Sequence, residues 1–120
     1  PYVVKAVEKF CNTNDIDCCF YNQVTPGVVH RGEVYLIING QLDMELIHLV
    51  RAAKSLNLKP GRDFSIISYN ESPIDEIILD GLTTISTDFS QMGKLAAEMI
   101  LKDSLKKMKC DFRMTRRSTF

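Results

Sequence analysis

The chain contains no tryptophan, two histidines, four prolines and six glycines. It carries no net charge, with fifteen basic residues set against fifteen acidic ones. That balance leaves no electrostatic footprint for nucleic acid or an anionic membrane surface. The longest apolar runs are four or five residues. A membrane-spanning helix needs roughly 20, so none is encoded. Neither G-x-S-x-G nor a P-loop nor G-x-G-x-x-G is present, which removes the sequence marks of a nucleophile elbow and of common nucleotide cradles. With only His30 and His48, a histidine-based triad is poorly supported. The four cysteines, Cys11, Cys18, Cys19 and Cys110, follow no zinc spacing. They read as reduced thiols of a cytosolic protein. No secretory signal is visible, and the chain starts at Pro1, so a piece of a longer, cytoplasmic protein is expected.

What remains is an ordinary globular composition, 45% hydrophobic and 25% charged over 120 residues. That length suits a single domain. Residues 2–12 carry an apolar stripe at Val3, Val4, Val7, Phe10 and Cys11, which predicts a helix. Asn12 to Asp15 then ends it. Residues 16–21 are short and β-rich and predict a strand. Thr25-Pro26 predicts a single helical turn with proline at its first position. Val34 to Ile38 is a continuous apolar run, the pattern of a strand buried on both faces of a parallel sheet. Leu42, Leu46, Leu49, Val50 and Ala53 keep the helical period, with Ile47 widening the stripe. They predict a helix over 42–56, closed by Asn57 and Pro60-Gly61.

Residues 64–68 predict the next strand, and Ser72-Pro73 a short capped helix with Glu76 in its first turns. Residues 82–86 predict another strand. Asp88 caps a helix over 89–104 with the stripe Phe89, Met92, Leu95, Ala96, Met99 and Ile100. Residues 110–117 predict a polar edge strand. Strands alternating with helices imply βαβ units, an α/β fold and a mainly parallel sheet.

In such sheets ligands sit beyond the carboxyl ends of the strands. Three predicted strand ends are polar: Tyr21-Asn22-Gln23, Asn39-Gly40-Gln41 and Tyr69-Asn70-Glu71. Amides and a carboxylate suit neutral, hydroxyl-rich ligands. An aromatic ring, Tyr21 or Tyr69, suits a sugar face. The same residues also fit plain turns, which Asn and Gly favour for backbone reasons. The candidate ligand contacts are therefore Asn39, Asn70 and Glu71, followed by Tyr21 and Tyr69. Asp75-Glu76 and Asp43 with Glu45 read as solvated helix faces. Arg113, Arg116 and Arg117 read as charge protection of an edge strand, with anion binding as the other reading.

Phe64 to Pro73 resembles a strand-and-turn stretch of the lactose/galactose-repressor (LacI/GalR) effector domain. Gly81-Leu82-Thr83-Thr84-Ile85-Ser86 is similar to the strand that follows in that family. Asp88 to Gly93 with Ala96-Ala97 resembles its next helix, and Arg116-Arg117-Ser118-Thr119 its terminal R-x-S-T. Ile38-Asn39-Gly40 matches the family's A-N-D more weakly. The resemblance runs in order from about residue 34 to the end. It implies a three-layer sandwich of periplasmic-binding-protein-like type I, of which residues 1–120 form one C-terminal lobe. It implies a sensor for a small effector, a carbohydrate by class, and a homodimer, with no catalysed reaction, no cofactor and no metal. DNA would be bound only through an upstream domain. Helix 89–104 would pack on a partner lobe outside the chain.

Departures accompany the resemblance. The family's ligand-binding Arg on the first helix of this lobe is Val3 here. Gly40 replaces the Asp of A-N-D, and Asn70 replaces the first Asp of the strand-end pair. Where the family has a full helix before residue 34, only residues 26–31 remain. The stretch 59–70 resembles a branch in which a GntR-type winged helix precedes the sensor. Two other readings share this topology: a solute-binding component for uptake, and a flavodoxin-like phosphoacceptor. The latter lacks its paired acids after the first strand.

Overall fold

The computed structural model describes residues 2–38, 44–103 and 106–120. Three longer helices, α1 (Tyr2–Thr13), α2 (Met44–Ser55) and α3 (Phe89–Leu101), accompany four strands, β1 (Val34–Ile37), β2 (Ser65–Tyr69), β3 (Thr83–Thr87) and β4 (Phe112–Thr115). The sheet order is β1-β2-β3-β4. The first two pairings are parallel and the last antiparallel. This is the expected α/β architecture with a mainly parallel sheet.

The core forms where α2 meets one face of that sheet. Leu46, Leu49 and Ala53 of α2 close on Ile66 and Leu82, with Val29 and Phe64 filling the flank. Ile66 and Leu82 are fully buried, and each such side chain contributes roughly 1.5–3 kcal/mol. Ile47, placed in the stripe by periodicity, points outward, and Ala52 takes its place inside. α2 ends in a Schellman arrangement. Asn57 adopts φ 55°, and the Leu58 N–H reaches back to the Ala53 carbonyl at 2.9 Å, which satisfies a terminal acceptor. α1 ends the same way, with Asp15 left-handed and Ile16 N–H on the Cys11 carbonyl at 2.9 Å.

Two expectations need correction. Residues 16–21 form no strand, and Ile16, Phe20 and Tyr21 stand exposed. The reason lies just downstream. A parallel strand needs a crossover that covers it, usually a helix. Between residues 22 and 33 there is only the one 3₁₀ turn Pro26–Val28. The second correction concerns β1. Its apolar run suits an interior strand, yet it lies at an edge of the described sheet, with Val34 56% exposed.

The carboxyl-terminal residues act as a splice between β2 and β3. Thr119 is fully buried. Its hydroxyl donates to the Ile66 carbonyl at 2.7 Å and accepts from the Thr83 N–H at 2.9 Å, while its carbonyl accepts from Ile66 N–H at 2.9 Å. Buried backbone groups at the start of the two strands are thereby satisfied. Gly61 permits the close approach: it has φ 84°, and a Cβ there would lie 1.9 Å from the Ser118 carbonyl oxygen.

Candidate functional site

The carboxyl ends of β2 and β3 open onto a groove of about 380 Å³. From β2 come Glu71, Ser72 and the start of the 3₁₀ turn Pro73–Glu76; from β3 come Ser86, Thr87, Asp88 and Phe89; Arg113 of β4 closes one side. The volume falls in the range of small-molecule sites. A larger hollow, about 610 Å³, lies at the other end of the sheet around Lys54, Lys59 and Gly61. The strand-end groove is the better candidate, because parallel sheets present their polar strand exits there.

The local sequence builds each wall. Asn70 turns the chain out of β2 with φ 69°, a left-handed conformation that Asn tolerates better than most residues. Its N–H still continues the ladder to the Ile85 carbonyl at 2.8 Å. Pro73 starts the 3₁₀ turn, and the Asp75 carboxylate accepts the Ser72 N–H at 2.9 Å. Asp75 is therefore buried rather than solvated, and its neighbour Glu76 is the one that faces the groove. On the β3 side, Asp88 caps α3 by accepting the Gln91 N–H at 3.0 Å. Gln91 also holds Asp111, donating to its carboxylate at 3.0 Å and accepting its N–H at 2.7 Å.

Glu71 is the most constrained of the expected contacts. Its carboxylate forms an ion pair with Arg117, and the Thr84 hydroxyl lies 3.4 Å away. Its N–H donates to the Ser86 hydroxyl at 3.0 Å, which in turn donates to the Thr87 carbonyl at 2.9 Å. Arg117 in turn donates to the Leu82 carbonyl at 2.8 Å. So Arg117 is a structural tie across the strand ends, not a charge guarding the edge. Arg116 lies over the Phe120 ring at 5.0 Å. Of the three arginines, Arg113 is the one lining the groove.

The five expected contacts are thus only partly brought together. Glu71 lines the groove, and Asn70 precedes it at the same strand exit. Tyr69 packs its ring on Phe112, 5.8 Å between centroids. Tyr21 does not line the groove; its hydroxyl is pushed above its ordinary pKa, chiefly by the nearby Cys19. Asn39 lies outside the described residues. Ser86, Thr87, Asp88 and Phe89 are not among the contacts expected from sequence, although they leave β3 as residues 70–72 leave β2. The strand-exit rule, applied to every strand, finds them. The wall combines hydroxyls with the Glu76 carboxylate and the Arg113 guanidinium, donors and acceptors suited to a polar, hydroxyl-bearing molecule. Among the described residues, no three His, Cys, Asp or Glu side chains are grouped to hold a metal ion.

Residues 38–109 match the periplasmic binding protein-like domain. The chain belongs to that family. Its members' fold is recovered in solved structures as well. A lac repressor bound to ONPG in its repressed state superposes with a TM-score of 0.67 at 19% identity, over 98% of this chain and 40% of that one. A LacI-family regulator from Lactobacillus casei with bound glucose gives 0.65 at 12% identity, covering 97% and 48%. A lac repressor dimer bound to operator and the anti-inducer ONPF gives 0.52 at 23% identity, covering 72% and 27%. This chain therefore spans less than half the length of these proteins. No curated protein sequence matches it. The periplasmic binding protein-like fold is the α/β, mainly parallel arrangement described above. No helix among the described residues is long and apolar enough to cross a membrane.

Proposed function

We propose that the chain is the C-terminal lobe of the effector-sensing domain of a cytoplasmic bacterial transcription regulator of the lactose/galactose-repressor type. The groove at the exits of β2 and β3 is one wall of a cleft. A second lobe outside this chain supplies the other wall. The effector is a small carbohydrate or a sugar-derived metabolite, and the domain catalyses no reaction. Effector binding between the lobes shifts their relative angle, and a DNA-binding domain upstream reads that shift. The regulator works as a homodimer.

The observation that carries the reading is the groove itself: a polar, mixed-charge wall at the carboxyl ends of parallel strands, in a periplasmic binding protein-like domain. The glucose bound to the Lactobacillus casei relative supports a sugar as the effector class. The operator bound to the lac repressor dimer supports the link to DNA. Asn70 is assigned a direct polar contact, and Glu71 is assigned the task of holding the wall through Arg117.

The test uses the protein with both lobes present and isothermal calorimetry against glucose and a panel of neutral monosaccharides. Asn70→Gly removes the amide without straining the left-handed backbone. It is expected to weaken binding of whichever sugar binds by about tenfold, the loss of one polar contact. Unchanged affinity removes Asn70 from the site. Absence of binding by any sugar in the panel removes the carbohydrate assignment.

A further inference from the structure

The hollow at the other end of the sheet has no part in the proposed sensing role. It encloses about 610 Å³, within the roughly 300–1,000 Å³ of small-molecule sites. Its floor is apolar: Val50 of α2, Leu58 and Leu79, each half-buried against the core. Its rim is charged. Lys54, Lys59 and Arg62 stand there against one carboxylate, Asp80. Among the described residues, no ion pair engages Lys54, Lys59 or Asp80. Arg62 spends Nε and Nη2 on the buried Asp63, and Asp63 is met on its other oxygen by Arg31. The surplus at the rim is therefore positive.

Both walls are fixed before any ligand arrives. On one side the Asp63 carboxylate accepts the Lys59 N–H at 2.8 Å, and the Lys59 carbonyl accepts the N–H groups of Asp63 and Arg62 at 2.9 and 3.2 Å. That turn presents the two cationic side chains three residues apart. The end of α2 does not oppose an anion there. The Ala53 and Lys54 carbonyls are taken up by the N–H groups of Leu58 and Asn57 at 2.9 and 3.1 Å, which blunts the negative end of the helix dipole. On the other side Leu79 and Asp80 are both left-handed, with φ 54° and 58°. A side chain like leucine adopts that conformation at a cost, and such residues gather at ligand sites and clamps. The Ser118 hydroxyl secures the turn, 2.8 Å from the Leu79 carbonyl and 3.0 Å from that of Gly81.

We propose that this hollow is a second binding site, for a phosphate monoester with a compact apolar body. The body lies on Val50, Leu58 and Leu79. The phosphate lies at the rim between Lys54 and Lys59, which act on it as point charges. Its charge of about −1.5 to −2 near neutral pH matches a rim of three cations and one carboxylate better than a monoanion does. A cation is repelled by that surplus. A neutral sugar leaves both ammonium groups without a counter-charge and sets its hydroxyls on an apolar floor.

The test is isothermal calorimetry on the full-length protein with phenyl phosphate, inorganic phosphate and benzyl alcohol as probes. Phenyl phosphate is expected to bind one per chain and to bind tighter than either the head or the body alone. Lys54→Gln combined with Lys59→Gln is expected to weaken it at least about tenfold, the loss of charge-assisted contacts. Both lysines are exposed, and circular dichroism checks that the fold is kept. Independently of any variant, phenyl phosphate added to the wild-type protein with labelled Val and Leu methyls is expected to shift the resonances of Val50, Leu58 and Leu79. No binding at millimolar phenyl phosphate, inorganic phosphate binding equally well, unchanged affinity in the folded double variant, or binding that leaves those three methyls unmoved overturns the proposal.

Discussion

Arg117, three residues before Phe120, closes an ion pair on Glu71 at the exit of β2. The pair is largely desolvated, with side chains 16% and 28% exposed. Arg117 also donates to the Leu82 carbonyl, and its N–H donates to the Thr83 hydroxyl at 2.9 Å. The last residues thereby hold the exit of one strand and the start of another in register.

Removing one partner leaves the other charge without its match. Arg117→Ala is expected to lower stability by about 2–4 kcal/mol, toward the range for broken buried pairs. Glu71→Gln keeps a hydrogen-bond acceptor for the guanidinium and is expected to cost less, about 1–2 kcal/mol. Urea denaturation followed by far-UV circular dichroism measures both. A negligible loss for Glu71→Gln beside a large one for Arg117→Ala would mean that packing and backbone hydrogen bonds of the arginine, not its charge, hold the strand ends.

The pH dependence of stability should carry the signature of Asp63. Its carboxylate is buried and accepts from Arg62 at 2.9 and 3.2 Å and from Lys59 N–H at 2.8 Å, with Arg31 on its other oxygen. Arg62 first, then the Lys59 N–H, hold its pKa down at about 2. A depressed folded-state pKa stabilises fully above the unfolded carboxyl value of about 4. That stabilisation is lost as pH falls from there through about 2. Urea midpoints recorded from neutral pH into acid are expected to drop across this window. Asp63→Asn should have a lower midpoint at neutral pH and a flatter acid limb. An acid limb of unchanged slope in the variant would assign the effect to other carboxylates.

Much of this fold is legible in the chain because local signals and packing agree. Leu46, Leu49 and Ala53 repeat at the helical period and meet the core; Asp88 caps α3 as its residue type demands. The failures share one cause, which is context that residue type does not carry. Ile16 to Tyr21 have strand composition, but a strand needs a neighbour, and the shortened crossover supplies no cover. Arg117 looks like its exposed neighbour Arg116, yet the chain's return along β3 turns it inward to Glu71. Asp75 looks like Glu76, and a single turn of 3₁₀ helix buries one and exposes the other. At the candidate site, the β2 exit was legible through its run of polar residues. The β3 exit was masked because Asp88 and Phe89 also satisfy the pattern of a helix start.

The exposed face of α3 sets the last expectation. No residue of this helix is buried, and Phe89, Met92, Ile100 and Leu101 are 50%, 43%, 80% and 85% exposed. An apolar stripe of this extent on a helix seeks cover. In the proposed full-length regulator the second lobe provides it. The 120-residue chain by itself is therefore expected to self-associate through α3, by docking or by exchange of the helix between copies. Light scattering coupled to size exclusion should show mass rising with concentration. Met92→Glu combined with Ile100→Glu is expected to return the chain to a monomer while leaving the α2-side core intact, as judged by circular dichroism. A wild-type chain that stays monomeric at the highest concentration reached would mean that α3 needs no partner.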